Sequence, residues 1–212
     1  MRVTRCFAFL DLCGFTMFTA EQGDDQASSV LSVLRTATRT ATERRGIRLV
    51  KWLGDGVMLS SIETEPLVCC TLEIMNEVSR LGHLPVRAGI VRGKVIMFEG
   101  EDYIGSAVNL ASRMCDRAQP GQLLAANLDH QRIPWFAEYA TLDWLDGLVL
   151  NQEQPVEVVQ LELAGGALTD PVCGLPLDPN RMPESQQDPS IPAFCSQPCR
   201  SHWLSEKTGQ SL

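Results

Sequence analysis

An α+β fold, with helices covering one face of a mainly antiparallel sheet, is the architecture this sequence predicts, and three observations predict it. Apolar runs rich in β-favouring residues alternate with helical stripes as far as residue 163. Two of those runs, 48–59 and 86–97, are interrupted by glycines, as hairpins are. Crossovers of about thirty residues separate other strands, long enough to carry a helix. The resulting order of strand, long helix, hairpin, helix, hairpin, helix, strand is ferredoxin-like at its centre.

Each element has a local reason. Phe7-Ala-Phe-Leu-Asp11-Leu is an apolar strand ending near Asp11, and Gly14 and Thr16 open a helix just beyond. Asp11 is thus expected at a strand's carboxyl end beside backbone N–H groups. There a carboxylate can hold a cation while amides face phosphate oxygens, or it can simply cap the helix. Thr16 to about Arg45 reads as helix, interrupted at Gly23, restarted at Asp24 or Asp25 and stopped by Gly46; Val30, Leu31, Val33, Leu34, Ala37 and Ala41 form its apolar stripe.

The hairpin that follows turns at Gly54-Asp55-Gly56, which pushes the Asp55 carboxylate into open space. Lys51 interrupts the apolar strand before the turn, where an ammonium group is costly. An ordinary turn with a solvated edge lysine is one reading; a ligand with polar and anionic parts is the other. Pro66 to Leu81 is a second helix, capped by Thr64 and stopped by Gly82, with Leu67, Leu72, Ile74, Met75 and Val78 facing the core and the Cys69-Cys70 pair serving as packing.

Residues 86–97 read as strand, bend and strand, with Gly89 and Gly93 marking close backbone approach. The second half of 101–114 is helical and puts Asn109 and Arg113 on one face. An amide beside a guanidinium suits a ribose oxygen and a phosphate, although a solvated polar face has the same pattern. Gln119-Pro-Gly-Gln is a turn, 123–126 a short strand and 128–136 a short helix, and 141–150 and 156–163 are the closing strands.

The 212 residues suffice for one medium domain with a small appendage, and 44% hydrophobic with 21% charged residues is an ordinary globular composition. A formal charge of -8 excludes nucleic acid as a partner. An anionic nucleotide would have to arrive with metal ions or meet a locally basic pocket. With no apolar run of signal-peptide or membrane-span length, a cytoplasmic protein with no membrane partner is expected. Of the eight cysteines, Cys6, Cys13, Cys69, Cys70 and Cys115 lie scattered in apolar segments and read as core residues. Cys173, Cys195 and Cys199 are crowded near the end, a pattern that in a reducing compartment favours metal over disulfide.

Together these stretches resemble the class III nucleotidyl cyclase catalytic domain, over roughly residues 5 to 163. Phe9-Leu-Asp11-Leu-Cys-Gly14-Phe15-Thr16 is similar to the family's first metal motif, Lys51-Trp-Leu-Gly54-Asp55 to its second, and Asp102-Tyr-Ile-Gly105-Ser-Ala-Val108-Asn109-Leu-Ala111-Ser-Arg113 to its transition-state helix. The resemblance implies that Asp11 and Asp55, with the Leu12 carbonyl, hold two Mg2+ or Mn2+ ions, and that amides of Cys13, Gly14, Phe15 and Thr16 hold the β and γ phosphates. It implies that Lys51 and Asp102 read adenine and so select ATP; guanylyl cyclases of the family generally carry Glu and a small or Cys residue there. Asn109 would orient the ribose and Arg113 would offset charge on the α phosphate. The family works as a head-to-tail dimer, which implies a homodimer with two equivalent interfacial sites. Two departures stand out: Trp144-Leu-Asp146-Gly147 has Asp where the family often has a phosphate-binding Lys, and Val91-Arg92-Gly93 replaces a common His-Thr-Gly.

Residues 164–169 read as a linker, 170–205 as a small module and 206–212 as a tail. Asp170-Pro-Val-Cys173-Gly174 and Phe194-Cys195-Ser196-Gln-Pro-Cys199 resemble the YHS family and the related TRASH pattern. That resemblance implies a second metal site of Cys173, Cys195 and Cys199, with His202 as fourth ligand and Zn2+ or Cu+ as the ion. Three functions are therefore in play: an adenylate cyclase, a weakly active or inactive cyclase-like docking module, and a metal sensor that uses the cyclase fold as scaffold.

Overall fold

The computed structural model describes residues 1–81, 84–100, 102–128, 137–141, 158–163, 169–175, 177 and 191–208, of which 137–141, 162, 163 and 208 are described as backbone alone. In chain order the elements are β1 (Arg2–Leu12), α1 (Phe15–Gln22), α2 (Asp24–Arg45), β2 (Arg48–Leu53), β3 (Gly56–Ser61), α3 (Thr64–Arg80), β4 (Val86–Phe98), β5 (Asp102–Ile104), α4 (Ser106–Arg117), β6 (Leu123–Ala126), β7 (Ala137–Thr141), β8 (Val158–Leu163) and α5 (Gln197–Thr208). The strands form one sheet in the order β2-β3-β1-β4-β6-β8-β7, with β5 paired to the end of β4. Every described pairing is antiparallel except β4 with β6. The predicted α+β class with a mainly antiparallel sheet is the class observed.

Helices cover both faces of the sheet, not one. Strand side chains alternate, so Cys6, Ala8, Leu10 and Leu12 of β1 meet α2 and α3, whereas Phe7 meets the α4 side with Met58 and Val91. Val30, Leu34 and Ala41 of α2 are buried, as are Leu67, Leu72, Ile74 and Val78 of α3. The Asp24 and Asp25 carboxylates open α2 and Arg44 and Arg45 close it, complementing its dipole. Helix α3 starts earlier than the sequence suggests. Thr64 lies inside it, and its hydroxyl meets Cys6 Sγ at 3.4 Å in the core instead of capping.

Residues 86–98 are one continuous strand, where the glycines suggested a hairpin. Gly89 and Gly93 serve the approach of α4: a Cβ on Gly89 would lie 2.4 Å from the Ala111 carbonyl oxygen, and one on Gly93 would lie 2.6 Å from Ala107 Cβ. Gly89→Ala is therefore expected to cost about 3 kcal/mol in urea unfolding, since the obstacle is helix backbone that cannot rotate aside. The strand after the 128–136 region is β7, at 137–141, earlier than the predicted 141–150; β8 falls within the predicted 156–163. Most of the short helix expected at 128–136, the Asp146 segment and linker residues 164–168 lie outside the described residues. No helix among the described residues is long and apolar enough to cross a membrane.

Candidate active site

Three neighbouring strand ends assemble the first half of the site. In the antiparallel ladders Asp11 of β1 faces Gly56 of β3 on one side and Arg87 of β4 on the other. Gly56 follows Asp55, so pairing of β1 with β3 brings the two candidate metal carboxylates together. A Cβ on Gly56 would come within 3.3 Å of Asp11 Oδ1 and 2.8 Å of the Leu10 carbonyl, so glycine there leaves room for the Asp11 carboxylate. Leu12 ends β1 with its side chain buried and its backbone opposite Val86 of β4.

Asp55 does not stand in open space. It is half-buried at the turn, and burial, with the Asp11 charge beside it, pushes its carboxyl above the usual carboxylate range. Arg87 answers part of that negative charge. Its Nε and one terminal nitrogen donate to Asp11 Oδ2 at 3.0 and 2.7 Å, and the other donates to the Asp116 carbonyl at 2.8 Å. Sequence reading missed Arg87. The available signal was the one used for Lys51, a cation inside an apolar strand run.

Beyond β1 the chain turns through Gly14, in the left-handed region at φ 76°, into α1. Asp11 does not cap that helix; α1 has no side-chain cap. The Cys13 amide donates to the Pro85 carbonyl at 2.8 Å, so it is committed to the fold and not to a ligand. Phe15 and Thr16 occupy the first turn of α1, whose N–H groups have no acceptor within the helix.

The second half centres on Lys51 and Asp102. A bulge between Leu49 and Lys51 re-aims β2, and Lys51 Nζ lies 2.7 Å from Asp102 Oδ2 with both side chains nearly half exposed, 42% and 46%. Lys51 therefore escapes the apolar burial its sequence neighbours suggested. The Lys51 hydrogen bond, joined by one from the Tyr103 amide at 2.8 Å, holds the Asp102 carboxyl below its usual range. Asn109 and Arg113 project from α4 one turn apart and are exposed.

This arrangement of strands and helices matches solved nucleotidyl cyclases. The guanylate cyclase domain of a rhodopsin–guanylyl cyclase from Catenaria anguillulae, in complex with GTP, superposes with TM-score 0.65 at 17% identity, covering 78% of this chain and all of that one. The adenylyl cyclase CyaB from P. aeruginosa superposes with TM-score 0.62 at 20% identity, covering 79% of this chain and 98% of that one. The fold is that of a class III nucleotidyl cyclase catalytic domain.

Curated relatives agree in part of the chain. An uncharacterized protein of Mycobacterium tuberculosis is 38% identical over 125 residues, 58% of this chain and 33% of that protein. A pH-sensitive adenylate cyclase of the same species is 32% identical over 121 residues, 57% of this chain and 30% of that protein. The chain thus spans about a third of the length of these relatives. No family model matches it.

A second cluster lies against the cyclase fold. The ligand atoms of Asp170, Cys173, Cys195 and Cys199 all fall within 4.8 Å of one another. Cys195 Sγ is 3.5 Å from Cys173 Sγ and 3.7 Å from Cys199 Sγ. The structure puts Asp170, not His202, at these sulfurs; His202 is on the exposed side of α5, 3.4 Å from Glu206. Asp170 is buried and gathers the loop by accepting from the amides of Val172, Cys173 and Cys195 at 2.8, 3.2 and 2.6 Å. Hydrogen bonds from Cys173 and Cys199, with Arg45 nearby, draw the Cys195 thiol well below its usual range.

Proposed function

We propose that this chain is an adenylate cyclase unit that converts ATP to 3′,5′-cyclic AMP and pyrophosphate at two equivalent sites of a homodimer. The observation that carries this reading is the meeting of Asp11, Asp55 and Arg87 where β1, β3 and β4 come together. Two neighbouring carboxylates against one guanidinium leave net negative charge that fits divalent cations; the Asp55 carboxyl is pushed up first by burial and then by the Asp11 charge. Two Mg2+ or Mn2+ ions held there by Asp11, Asp55 and the Leu12 carbonyl would acidify the ribose 3′-hydroxyl and steady the triphosphate.

The remaining roles fall to side chains and amides. The amides of Gly14, Phe15 and Thr16 at the start of α1 hold phosphate oxygens. From the partner subunit the same chain contributes Lys51, donating to adenine N1, and Asp102, accepting from the 6-amino group. These base atoms are neighbours on one edge, which suits a Lys–Asp pair already in contact. The exposed Asn109 orients the ribose and Arg113 neutralises charge gathering on the α phosphate. The 3′-oxygen forms a bond to the α phosphorus as the bond from that phosphorus to the α–β bridging oxygen breaks. Pyrophosphate departs, and the hydroxyl proton passes to solvent.

The purified chain given ATP or GTP with Mg2+ or Mn2+ should yield cyclic AMP in excess of cyclic GMP. Neither product would favour a docking module. Asp55→Asn should abolish turnover yet raise the thermal midpoint of the metal-free protein near neutral pH. The sign follows from the raised carboxyl: its favourable contribution is complete below the unfolded pKa of about 4 and is lost as pH rises through the folded value. At neutral pH the ionised Asp55 is a cost that Asn removes.

The geometry at Asp170, Cys173, Cys195 and Cys199 supports a second reading in addition to the first. Three sulfurs and a carboxylate at this spacing suit a closed site for Zn2+ or another borderline or soft ion.

A further inference from the structure

The cysteine cluster is continuous with the cyclase core. Leu175, Phe194 and Cys199 are buried in the same cluster as α2, α3 and that face of the sheet, and Cys195 and Trp203 pack against it. Polar contacts cross the seam as well. Asn76 of α3 donates to the Gly174 carbonyl at 3.5 Å, and Arg45 donates to Cys195 Sγ at 3.7 Å.

Arg45 is the last residue of α2 and makes a second, stronger contact. Its Nε meets Glu73 of α3 at 2.6 Å, and Arg44 donates to the same carboxylate. Glu73 is only 5% exposed. A buried carboxylate held by two guanidiniums is a stiff junction, because losing either partner leaves charge without compensation. Past Arg45 the chain runs through Gly46 and Ile47 into β2, which carries Lys51 and leads to the turn at Asp55. One guanidinium therefore touches the sulfur cluster, ties α2 to α3, and stands at the root of the nucleotide-site hairpin. Three thiolates and a carboxylate around a divalent ion leave net negative charge, and Arg45 is the cation at hand to offset it.

We propose that occupancy of the cysteine cluster by a zinc-class divalent ion is communicated to the β2–β3 hairpin through Arg45, so that the cluster regulates nucleotide binding; this rests on the metal reading of the cluster. In the loaded state the Arg45 guanidinium is held at both ends, fixing the carboxyl end of α2 and with it the path into β2. In the metal-free state only Glu73 holds it firmly.

The test uses the full chain with Zn2+ as probe. Native mass spectrometry reads the ion bound, and amide hydrogen exchange reads α2, α3 and residues 46–61 with and without it. Zn2+ should slow exchange at 46–61 by about fivefold or more, the low end of coupling between linked sites. Arg45→Met, which leaves Arg44 on Glu73, should retain the ion and lose the slowing, and Arg45→Lys should restore part of it. Cys195→Ser leaves the Arg45–Glu73 pair intact and should also lose the slowing, which keeps the test decisive if Arg45→Met does not fold. Bound Zn2+ with protection confined to residues 169–175 and α5 would overturn the coupling and leave the metal site standing. No bound Zn2+ would overturn both.

Discussion

Asp11→Ala and Arg113→Ala will each lower cyclic AMP formation by about a hundredfold or more, the scale of losing one preorganised charge at a transition state. Mixed in equal amounts and allowed to exchange subunits, they will recover up to about a quarter of wild-type activity. The arithmetic is that of a two-fold dimer with shared sites. Half of the randomly exchanged dimers are mixed, and each mixed dimer has one site with both lesions and one with neither. The structure motivates the pairing because Asp11 is engaged at the strand ends with Arg87, whereas Arg113 projects exposed from α4. Arg113 also lies three residues before Asp116, whose carboxylate is 4.0 Å from Arg87, so a site closed within one chain is the competing geometry. That geometry predicts no recovery on mixing. Sedimentation of the mixture settles whether exchange took place.

The parts of this fold that were legible in the sequence are those with short-range causes. Gly23 and Gly46 interrupt and end helices where backbone geometry favours glycine, and the apolar, β-favouring runs become β1, β3 and β4. Gly89 and Gly93 were correctly read as close approaches, but the cause lies in α4, some twenty residues away, and a glycine in a straight strand has the same sequence signature as one in a bend. Asp11 and Asp55 are each marked by a place at an element end, and the resemblance to the cyclase family is what pairs them. Arg87 carries the same local mark as Lys51, a cation inside an apolar strand run, but its partner Asp11 is seventy-six positions earlier in the chain, so the local mark says nothing of what it meets. The resemblance places the Cys13 amide at a phosphate; here the Pro85 carbonyl takes it. His202 looked like a ligand by residue type. Asp170 occupies that place because three backbone amides of two distant segments converge on its carboxylate.

Lys51→Glu combined with Asp102→Cys will reverse the choice of base, changing the ratio of kcat/KM for GTP over ATP by about a hundredfold or more. Adenine presents an acceptor at N1 and a donor at its 6-amino group; guanine presents a donor and an acceptor at the same two places. A lysine and a carboxylate therefore match adenine and leave guanine with donor facing donor and acceptor facing acceptor, an arrangement far costlier than a missing contact. The double variant reverses the polarity at the first position and removes the obstructing carboxylate at the second. Lys51→Glu alone should lose ATP activity without gaining GTP activity, because it sets a second carboxylate against Asp102 in place of a 2.7 Å ion pair. The loss is separable from unfolding: an ion pair this exposed contributes at most about 1 kcal/mol to stability. The thermal midpoint of each variant should therefore stay close to that of the wild type while substrate choice moves. Equal losses with both nucleotides at an unchanged midpoint would mean that this pair braces β2 against β5 and does not read the base.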